Sequence, residues 1–438
     1  MAIQPTITAQ RAGPCERLGD NNVVHFVGER RRRLRESYGN RLGSRPSGVK
    51  GGATEYATER PTIVCYKEPL EKDSRLLGAI LAAKVTAAGA LGFVPVVVHF
   101  RLFETLARIG KAASSADILQ ANNSDRIAKE KAASPLCLKL VEDTLFVLSG
   151  QGFVDLISDN VFAPNAITHH WASQPSAPHG ALHFTTEVLL ASAFLMRKLQ
   201  ATNFAYPFAD ADTAYQHAFS LLGQHDLAQQ HTYNIMEKIG RMESFNIFMD
   251  GKFGSFGTLP ERLQRFGYDL DAAISGTESD VVMVDIGGGT GAALLELKAA
   301  YPHLAPSSLV VQEFQTDLET LDSGITLQEW NFKTSPQPIR GALTYSLTHI
   351  FHNNSDLEAL KLLKKLVDAM EPHSRLLIHE FSKNTNYGNM HGTMIGLYAG
   401  RLRSREEWAA MAEVVGLKIT FEVYPEAGEG LIEMMKVI

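Results

Sequence analysis

The stretch Val281-Val-Met-Val-Asp-Ile-Gly-Gly-Gly-Thr-Gly291 decides the fold. Its apolar run, Val281 to Val284, is typical of a β-strand that is covered on both faces of a parallel sheet. The glycines that follow permit positive φ and let a ligand approach bare backbone, while the next segment, Ala292 to Lys298, reads as a helix whose free N–H groups face that ligand. Asp285 closes the strand, where its carboxylate is placed to bind a polar ligand group. The stretch therefore predicts a strand, a binding turn and a helix.

An acidic residue at the end of the next strand indicates which ligand is bound. The run Ser308-Leu-Val-Val-Gln-Glu-Phe314 places Glu313 roughly 20 residues beyond the glycines, where an acid suits a ribose diol. A glycine turn alone is weak evidence, because dinucleotide-binding folds carry G-x-G-x-x-G at the same place. The turn and the acid together predict a nucleoside cofactor, and a purely structural turn is the alternative.

Size and charge exclude several classes of protein. The chain has 438 residues, of which 45% are hydrophobic and 21% charged, so it has material for two or three globular domains. A net charge of −6 argues against a nucleic-acid binder, because phosphate contacts need a basic face. Cys15, Cys65 and Cys137 lack metal or disulfide spacing, which is typical of a reduced, cytoplasmic protein. The apolar run from Leu77 to Val98 carries Lys84 and several glycines, so we expect a buried helix pair and no membrane span.

Strand and helix patterns alternate from Val281 to the end, which predicts an α/β doubly wound domain that binds ligands at the carboxyl edge of its strands. Upstream, a helix within Cys137 to Phe153 is followed by a hairpin-like segment, Val154 to Pro164, with a turn at Asp159-Asn160. This order predicts a winged helix. Its charge fits a substrate lid or a dimerisation role better than DNA binding. The later strands are expected at residues 309–314, 342–346, 374–381, 417–423 and 430–437.

Several segments in a fixed order carry a resemblance to a known family. They are Val284–Gly291, Leu309–Glu313, Trp330–Phe332 with Pro336–Pro338, Tyr345–Asp356, Leu376–Phe381 and Gly400–Trp408. From about residue 75 to the end, the chain resembles the plant and fungal small-molecule O-methyltransferases, in which the glycine turn is motif I of the class I S-adenosylmethionine (SAM) fold. That family pairs a mainly helical, N-terminal winged-helix dimerisation domain with a Rossmann-like SAM-binding domain.

The resemblance assigns roles to residues of the expected site. His352 matches the general base that takes a proton from the substrate hydroxyl, work that suits imidazole because its ordinary pKa lies near the operating pH. Glu380 matches the first of two carboxylates that orient this histidine. The second carboxylate falls where this chain has Leu402, which cannot accept a hydrogen bond. For the cofactor, the resemblance implies contacts from Asp285, Gly287, Gly288, Gly289, Glu313, Trp330 and Asn331.

Other departures cluster around the same pocket. The family's H-D-W-x-D run is His352-Asn-Asn-Ser-Asp356 here, its basic residue four before the histidine is Thr348, and its aspartate near the adenine is replaced at Asn331. With motif I intact, this combination resembles the O-methyltransferase-like pericyclases of fungal secondary metabolism. Those enzymes bind SAM without transferring its methyl group, and they promote stereoselective dehydration and then Alder-ene or hetero-Diels–Alder closure of polyketide-derived 2-pyridone alcohols. Thr348 is then a weaker donor to a substrate carbonyl.

Further pocket candidates lie outside these motifs. His169 and His170 follow the wing, where a lid would meet the substrate, and we favour His170 as the catalytic one; an exposed loop histidine is the alternative. Met390, Met394 and Tyr398 are expected to line an apolar pocket, although helix packing explains them nearly as well. Met249 is a further pocket candidate.

The sequence therefore predicts four regions and one activity. The regions are a flexible N-terminal extension (1–70) with the basic cluster Arg30–Arg33, a winged-helix dimerisation domain (71–185), a helical linker and substrate-pocket region (186–270) and a Rossmann-like SAM-binding domain (271–438). A dimer-wrapping or partner-binding arm is the alternative for the extension. The predicted activity is that of a SAM-binding, homodimeric pericyclase acting on a small molecule, with no metal, nucleic acid or membrane partner. A genuine O-methyltransferase with His352 as general base is the alternative.

Overall fold

The computed structural model describes residues 74–129, 136–254, 256–275, 279–314 and 324–437. All of them belong to one compact unit. The predictions made for residues 1–70, including Arg30–Arg33, and for Cys15 and Cys65 lie outside the described residues.

A small antiparallel sheet and five helices form the N-terminal region. Its strands pair in the order β1-β3-β2, and Asn160 makes the turn between β2 and β3 with φ of 54°, a conformation that asparagine tolerates. The winged helix is therefore present, although the two-residue strand β1 was not predicted. The elements are α1 (Ser74–Leu91), α2 (Val94–Phe100), α3 (Leu102–Ile109), β1 (Ala113–Ser114), α4 (Ser115–Lys129), α5 (Leu138–Gly150), β2 (Asp155–Ser158) and β3 (Val161–Ala163).

The expected buried helix pair is present, but only its second member is buried. Val94 and Val97 on α2 are almost fully buried, whereas Leu81 and Val85 on α1 are 62% and 66% exposed. By length and composition alone, the stretch Gly78–Phe100 would suffice to cross a membrane, and 11% of its most apolar window is buried. The prediction of burial is wrong for α1, because nothing in the described part of this single chain covers its apolar side chains.

Ten short helical segments connect the winged helix to the large sheet. Two of these helices, α7 and α12, approach closely at glycines: a Cβ on Gly180 would lie 2.6 Å from the Phe248 ring, and one on Gly251 would lie 2.2 Å from the side chain of Ser176. The segments are α6 (Ala166–Ser173), α7 (Ser176–His183), a π-helical turn (Phe184–Val188), α8 (Leu189–Ala201), α9 (Ala214–Leu221), α10 (His225–Ala228), α11 (Thr232–Lys238), α12 (Met242–Gly254), α13 (Leu259–Phe266) and α14 (Leu270–Ser275).

The C-terminal region is a seven-stranded sheet in the order β6-β5-β4-β7-β8-β10-β9. The first five strands in that order are parallel, and β10 runs antiparallel to both β8 and β9. The chain moves outward from β4 in both directions, which makes the carboxyl end of β4 a switch point where ligands bind in open α/β sheets. The strands are β4 (Met283–Ile286), β5 (Leu309–Glu313), β6 (Thr326–Glu329), β7 (Thr344–Thr348), β8 (Arg375–Phe381), β9 (Leu417–Val423) and β10 (Glu429–Lys436).

Apolar side chains cover both faces of this sheet, as the strand composition predicts. One face packs on α16 and α18, where Phe351 meets Trp408 edge-on. The other face packs on α13 and α15. The remaining helices are α15 (Ala292–Ala300), α16 (Asp356–Ala369), α17 (Gly388–Tyr398) and α18 (Arg405–Val415).

Candidate functional site

The glycine turn at the carboxyl end of β4 accepts only glycine at its first two positions. Gly287 and Gly289 have φ of 70° and 58°, in the left-handed region that favours glycine. A Cβ on Gly287 would lie 2.5 Å from Ile350 Cδ1, and one on Gly288 would lie 2.4 Å from Asp285 Oδ2. The turn therefore keeps its backbone bare, which is what a closely held ligand requires.

Two acidic side chains flank this turn. Glu313, at the end of β5, accepts hydrogen bonds from the backbone N–H of Gly289 at 2.7 Å and of Phe314 at 3.1 Å. Asp285 is buried, and burial raises its pKa to about 7, with the charge of Glu313 adding to the shift and Arg262 opposing it. A buried carboxyl that exchanges its proton near neutrality is suited to a cationic ligand, because the ligand's charge would stabilise its ionised form.

Replacing Asp285 with asparagine is expected to change how stability depends on pH. The folded apoprotein holds a proton on Asp285 up to about pH 7, whereas the unfolded chain releases it near pH 4. The stability of the native protein therefore falls between about pH 4 and pH 7 on account of this group. Asp285→Asn removes that loss, so urea unfolding should show the variant gaining on the native protein by on the order of 2–4 kcal/mol between pH 5 and pH 8. An unchanged difference between the two proteins at both pH values would contradict the assignment.

The predicted cofactor contacts at β6 divide into two cases. Asn331 is half-buried just beyond β6, and its Oδ1 accepts a hydrogen bond from the Lys333 backbone at 3.0 Å. Trp330 is 4% exposed and belongs to the core, where its Nε1 donates to the Pro336 carbonyl at 2.9 Å. Trp330 therefore supports the sheet and does not face the cofactor, contrary to the prediction.

His352 and Glu380 form a buried pair beside the same edge of the sheet. His352 lies in a 3-10 turn, Phe351–Asn353, after β7, and Glu380 lies near the end of β8. The ring Nδ1 is 2.6 Å from Glu380 Oε2, and the His352 backbone N–H donates to Oε1 at 3.0 Å. Burial alone would raise the pKa of Glu380, but His352 holds it below its ordinary value. Among the described residues, His352 Nε2 has no hydrogen-bond partner, so it is the nitrogen that faces a substrate.

No second carboxylate supports this pair from the position of Leu402. Leu402 is 1% exposed, and its backbone N–H donates to His391 Nδ1 at 3.2 Å. The neighbouring Asn353 donates instead to the hydroxyl of Tyr233 at 3.0 Å. Thr348 is half-buried at the end of β7. The structure thus places the departures noted in the sequence around one histidine.

A second histidine extends the network. His349 has φ of 57°, its Nε2 lies 3.0 Å from Glu429 Oε2, and its Nδ1 lies 4.0 Å from Glu380 Oε2. Burial lowers the pKa of His349 well below its ordinary value. Arg262 donates to the other oxygen of Glu429 at 2.8 Å. The sequence analysis did not identify Glu429 or Arg262, which lie far apart in the chain and belong to no local motif.

His349, His352 and Glu380 lie close enough to be tested as metal ligands, since their donor atoms fall within 4.8 Å of one another. Two donors on one zinc ion are roughly 3 Å or more apart, given bond lengths of about 2.0–2.2 Å. The 2.6 Å separation of His352 Nδ1 and Glu380 Oε2 is instead that of a charge-assisted hydrogen bond. The geometry describes a proton-handling network.

Arg403, a further residue that the sequence analysis missed, holds the loop of His352 in place. Its guanidinium is buried and donates to the carbonyls of Phe351 at 2.8 Å and Asn354 at 2.9 Å, and it pairs with Asp356. A glycine is also required here, because a Cβ on Gly400 would collide with the His352 carbonyl. A basic residue that follows Leu402 gave no signal of this role, because the role depends on contacts across about fifty residues of chain.

Arg403→Gln is expected to destabilise the fold. The substitution leaves two buried carbonyls without their donor, so we expect a loss of about 2–4 kcal/mol in the free energy of unfolding. Urea denaturation measures the loss. Arg401→Gln, which alters a more exposed side chain that pairs with the same Asp356, serves as the matched control and should cost less than about 1 kcal/mol. Equal losses in the two variants would contradict the assigned role of Arg403.

The remaining predicted site residues are spread over three helices. His169 and His170 are both exposed on α6, and the structure does not bring either of them to the His352 cluster; their buried neighbours Thr168 and Trp171 orient the helix the other way. A catalytic role for His170 therefore has no support from the geometry. Met249 and Met390 are half-buried on α12 and α17. Met394 and Tyr398 are buried in a core cluster with Tyr215 and Ile235, so helix packing accounts for them.

The sheet order, the bare glycine turn after β4 and the acids that flank it define a class I SAM-dependent methyltransferase fold with a Rossmann-like sheet and an N-terminal winged helix. The O-methyltransferase domain family matches residues 273–418. The O-methyltransferase bfoE of Aspergillus brasiliensis is 48% identical over 365 residues, which cover 82% of this chain and 96% of the relative. The O-methyltransferase aunE of Aspergillus niger is 46% identical over 374 residues, 82% of this chain and 97% of the relative. The chain belongs to the fungal O-methyltransferase-like family of secondary metabolism, whose cofactor is SAM.

Solved structures agree with the fold. LepI in complex with SAM has a TM-score of 0.64 at 19% identity, and the match covers 96% of this chain and all of LepI (100%). OxaC in complex with sinefungin and meleagrin has a TM-score of 0.64 at 16% identity, covering 83% of this chain and 88% of OxaC. The glycine turn, Asp285 and Glu313 fit a nucleoside sulfonium, because they combine bare backbone with acids that suit a ribose and a cation.

Proposed function

We propose that the protein binds SAM and dehydrates a small, polyketide-derived alcohol of the 2-pyridone type, which then closes by a pericyclic reaction. The observation that carries the proposal is the buried contact between His352 Nδ1 and Glu380 Oε2 at 2.6 Å. This contact sets the tautomer and orientation of the ring and leaves Nε2 as the basic atom.

Each step assigns a task to a residue of this chain. His352 Nε2 accepts the proton of a ring hydroxyl, and Glu380 stabilises the imidazolium that results. Loss of the side-chain hydroxyl then gives a quinone methide and water. When bound, SAM supplies an electrophilic methyl group and a fixed positive charge. Ring closure requires only that the cavity hold the flexible chain in a reactive fold, which replaces the entropic part of the barrier.

Two findings support dehydration and cyclisation over methyl transfer. The pair keeps its base but has Leu402 where a second orienting carboxylate stands in related methyltransferases, and Asn353 and Thr348 alter the surroundings of the same histidine. A protein described as a pericyclic reaction enzyme matches 96% of this chain with a TM-score of 0.63 at 19% identity.

O-methyl transfer is the second candidate, and a specific finding favours it. Relatives that cover almost their whole length against this chain are named O-methyltransferases. The same His352–Glu380 pair would then activate the hydroxyl that attacks the methyl group. Both candidates need the base, so they differ in what becomes of the cofactor and of the side-chain hydroxyl.

The direct test follows the oxygen that leaves. A 4-hydroxy-2-pyridone with an 18O-labelled hydroxyalkyl group at C3 is incubated with protein and SAM, and mass spectrometry tracks the label. The proposal expects labelled water and a product 20 mass units lighter than the labelled alcohol, the mass of the labelled water lost. A methylated product that retains the label would instead establish the second candidate.

We also infer that the protein is a homodimer in solution. The winged-helix region exposes apolar side chains on α1, α5 and the wing, including Leu81, Val85, Phe146 and Ile157, which are 58–66% exposed. Apolar surface of this kind marks an interface with another chain. Sedimentation should give twice the chain mass, and Leu81→Glu with Val85→Glu should shift the protein toward monomer. A native protein that sediments as a monomer at micromolar concentration would refute the inference.

A further inference from the structure

A lysine on α12 faces the same network from outside every motif of the family. Lys252 is half-buried, and its Nζ lies 4.9 Å from the centre of the Phe381 ring. The Phe381 ring is 4.7 Å from that of His349, which in turn is 5.5 Å from that of His352. These contacts place an ammonium group at the cavity edge of the sheet, one aromatic ring away from the histidines.

The fold holds this lysine in a fixed position. The preceding residue, Gly251, lies against Ser176 so closely that a Cβ would collide with it. Phe256, shortly after the helix, stacks at 6.3 Å on His349 and packs edge-on against Phe381. The helix that carries Lys252 is thus clamped on one side by α7 and on the other by the site.

The charges around Lys252 fit a proton donor. Burial lowers the pKa of Lys252 to about 8, and the charges of Glu380 on β8 and Glu429 on β10 oppose the shift. His349 is the neutral group that faces it from the end of β7, and Arg262 on α13 already binds Glu429. An ammonium in these surroundings remains charged at neutral pH but gives up its proton more readily than an exposed lysine.

We propose that Lys252 is a second catalytic residue, which donates a proton to the side-chain hydroxyl that leaves the substrate. The inference rests on the proposed function. His352 takes the proton of the 4-hydroxyl, and that O–H pair becomes the new C4 carbonyl bond. The ring C3–C4 π pair becomes the exocyclic double bond, and the C–O pair departs with the hydroxyl, which receives the Lys252 proton and leaves as water. The imidazolium then returns its proton to the amine through solvent, so no oxidant or reductant is needed.

This assignment explains how the site works with Thr348 in place of a cation. A threonine hydroxyl cannot supply the positive charge that assists a leaving oxygen, whereas Lys252 brings it from a different element of the fold. Methyl transfer requires one base at the acceptor hydroxyl. Dehydration requires a base and an acid, and the pair of His352 and Lys252 provides both.

The kinetic test compares Lys252→Met, Lys252→Arg and the matched control Lys238→Met, which alters an exposed lysine on α11. Lys252→Met should lower kcat by about 100-fold, with SAM affinity unchanged by calorimetry. Lys252→Arg should retain part of the activity and lose the fall in rate above about pH 8, because arginine stays protonated. Dehydration by Lys252→Met at the native rate would overturn the proposal for Lys252 while leaving the proposed function intact.

A second measurement does not depend on turnover. Competitive labelling with acetic anhydride reports how readily each lysine loses its proton and whether a ligand covers it. Lys252 should react with a midpoint near pH 8 and be protected by 4-hydroxy-2-pyridone but not by SAM alone. Labelling that the pyridone leaves unchanged would overturn the contact with substrate. Methylated product from the native protein would overturn the dehydration step itself, so the two failures are distinguishable.

Discussion

His352→Gln is expected to lower kcat by a factor of about 10²–10⁴, because the variant keeps a polar side chain but loses the atom that accepts the substrate proton. Glu380 keeps its second contact, the backbone N–H of residue 352, so the local fold should persist. The rate is measured by product formation at saturating substrate and SAM. SAM affinity should stay within about threefold of the native value, since the cofactor lies against the glycine turn.

His303→Gln supplies the control, because His303 is exposed on the far side of α15 from this pair in sequence and makes no contact with it. Its kcat should equal that of the native protein. A His352→Gln variant that retained more than about one third of the native kcat would remove the base from the mechanism, whichever reaction the protein catalyses.

Gly287→Ala is expected to have the largest effect on cofactor binding. An alanine at φ of 70° costs about 1–2 kcal/mol, and its Cβ would lie 2.5 Å from Ile350 Cδ1. Relief of that collision moves either the turn or the loop that leads to His352. We expect the dissociation constant for SAM to rise at least ~100-fold, which corresponds to about 3 kcal/mol.

Calorimetry measures this loss, and Gly150→Ala is the matched control. A Cβ on Gly150 meets nothing within 4 Å, and the residue ends a helix of the winged-helix region. Its SAM affinity should be native. If Gly287→Ala bound SAM as tightly as Gly150→Ala, the turn after β4 would not be the cofactor site.

The sequence predicted what depends on local pattern. The apolar run before the glycines marks β4, the observed strand beginning two residues later than the run, and the terminal strand pair was placed within one residue. Strand β6 was missed because Thr326-Leu-Gln-Glu329 is short, polar and half-exposed. The burial of α1 was predicted wrongly because its composition is apolar although the described chain leaves it uncovered.

The site divides along the same line. Residues next to motifs, such as Glu313 and Glu380, were identified with their neighbours, whereas Trp330 has a motif position but a core environment. Lys252, Arg262 and Arg403 were not identified, because each is an isolated basic residue whose role depends on contacts with distant strands and loops. A helix pattern cannot indicate which lysine faces a cavity.

The most direct test of the account counts cofactor against product. The protein is incubated with methyl-labelled SAM and a 2-pyridone alcohol until many product molecules have formed per protein chain, and S-adenosylhomocysteine is then quantified. The account predicts dehydrated, cyclised product with the SAM recovered intact. One S-adenosylhomocysteine for each product molecule, with the label in the product, would contradict it.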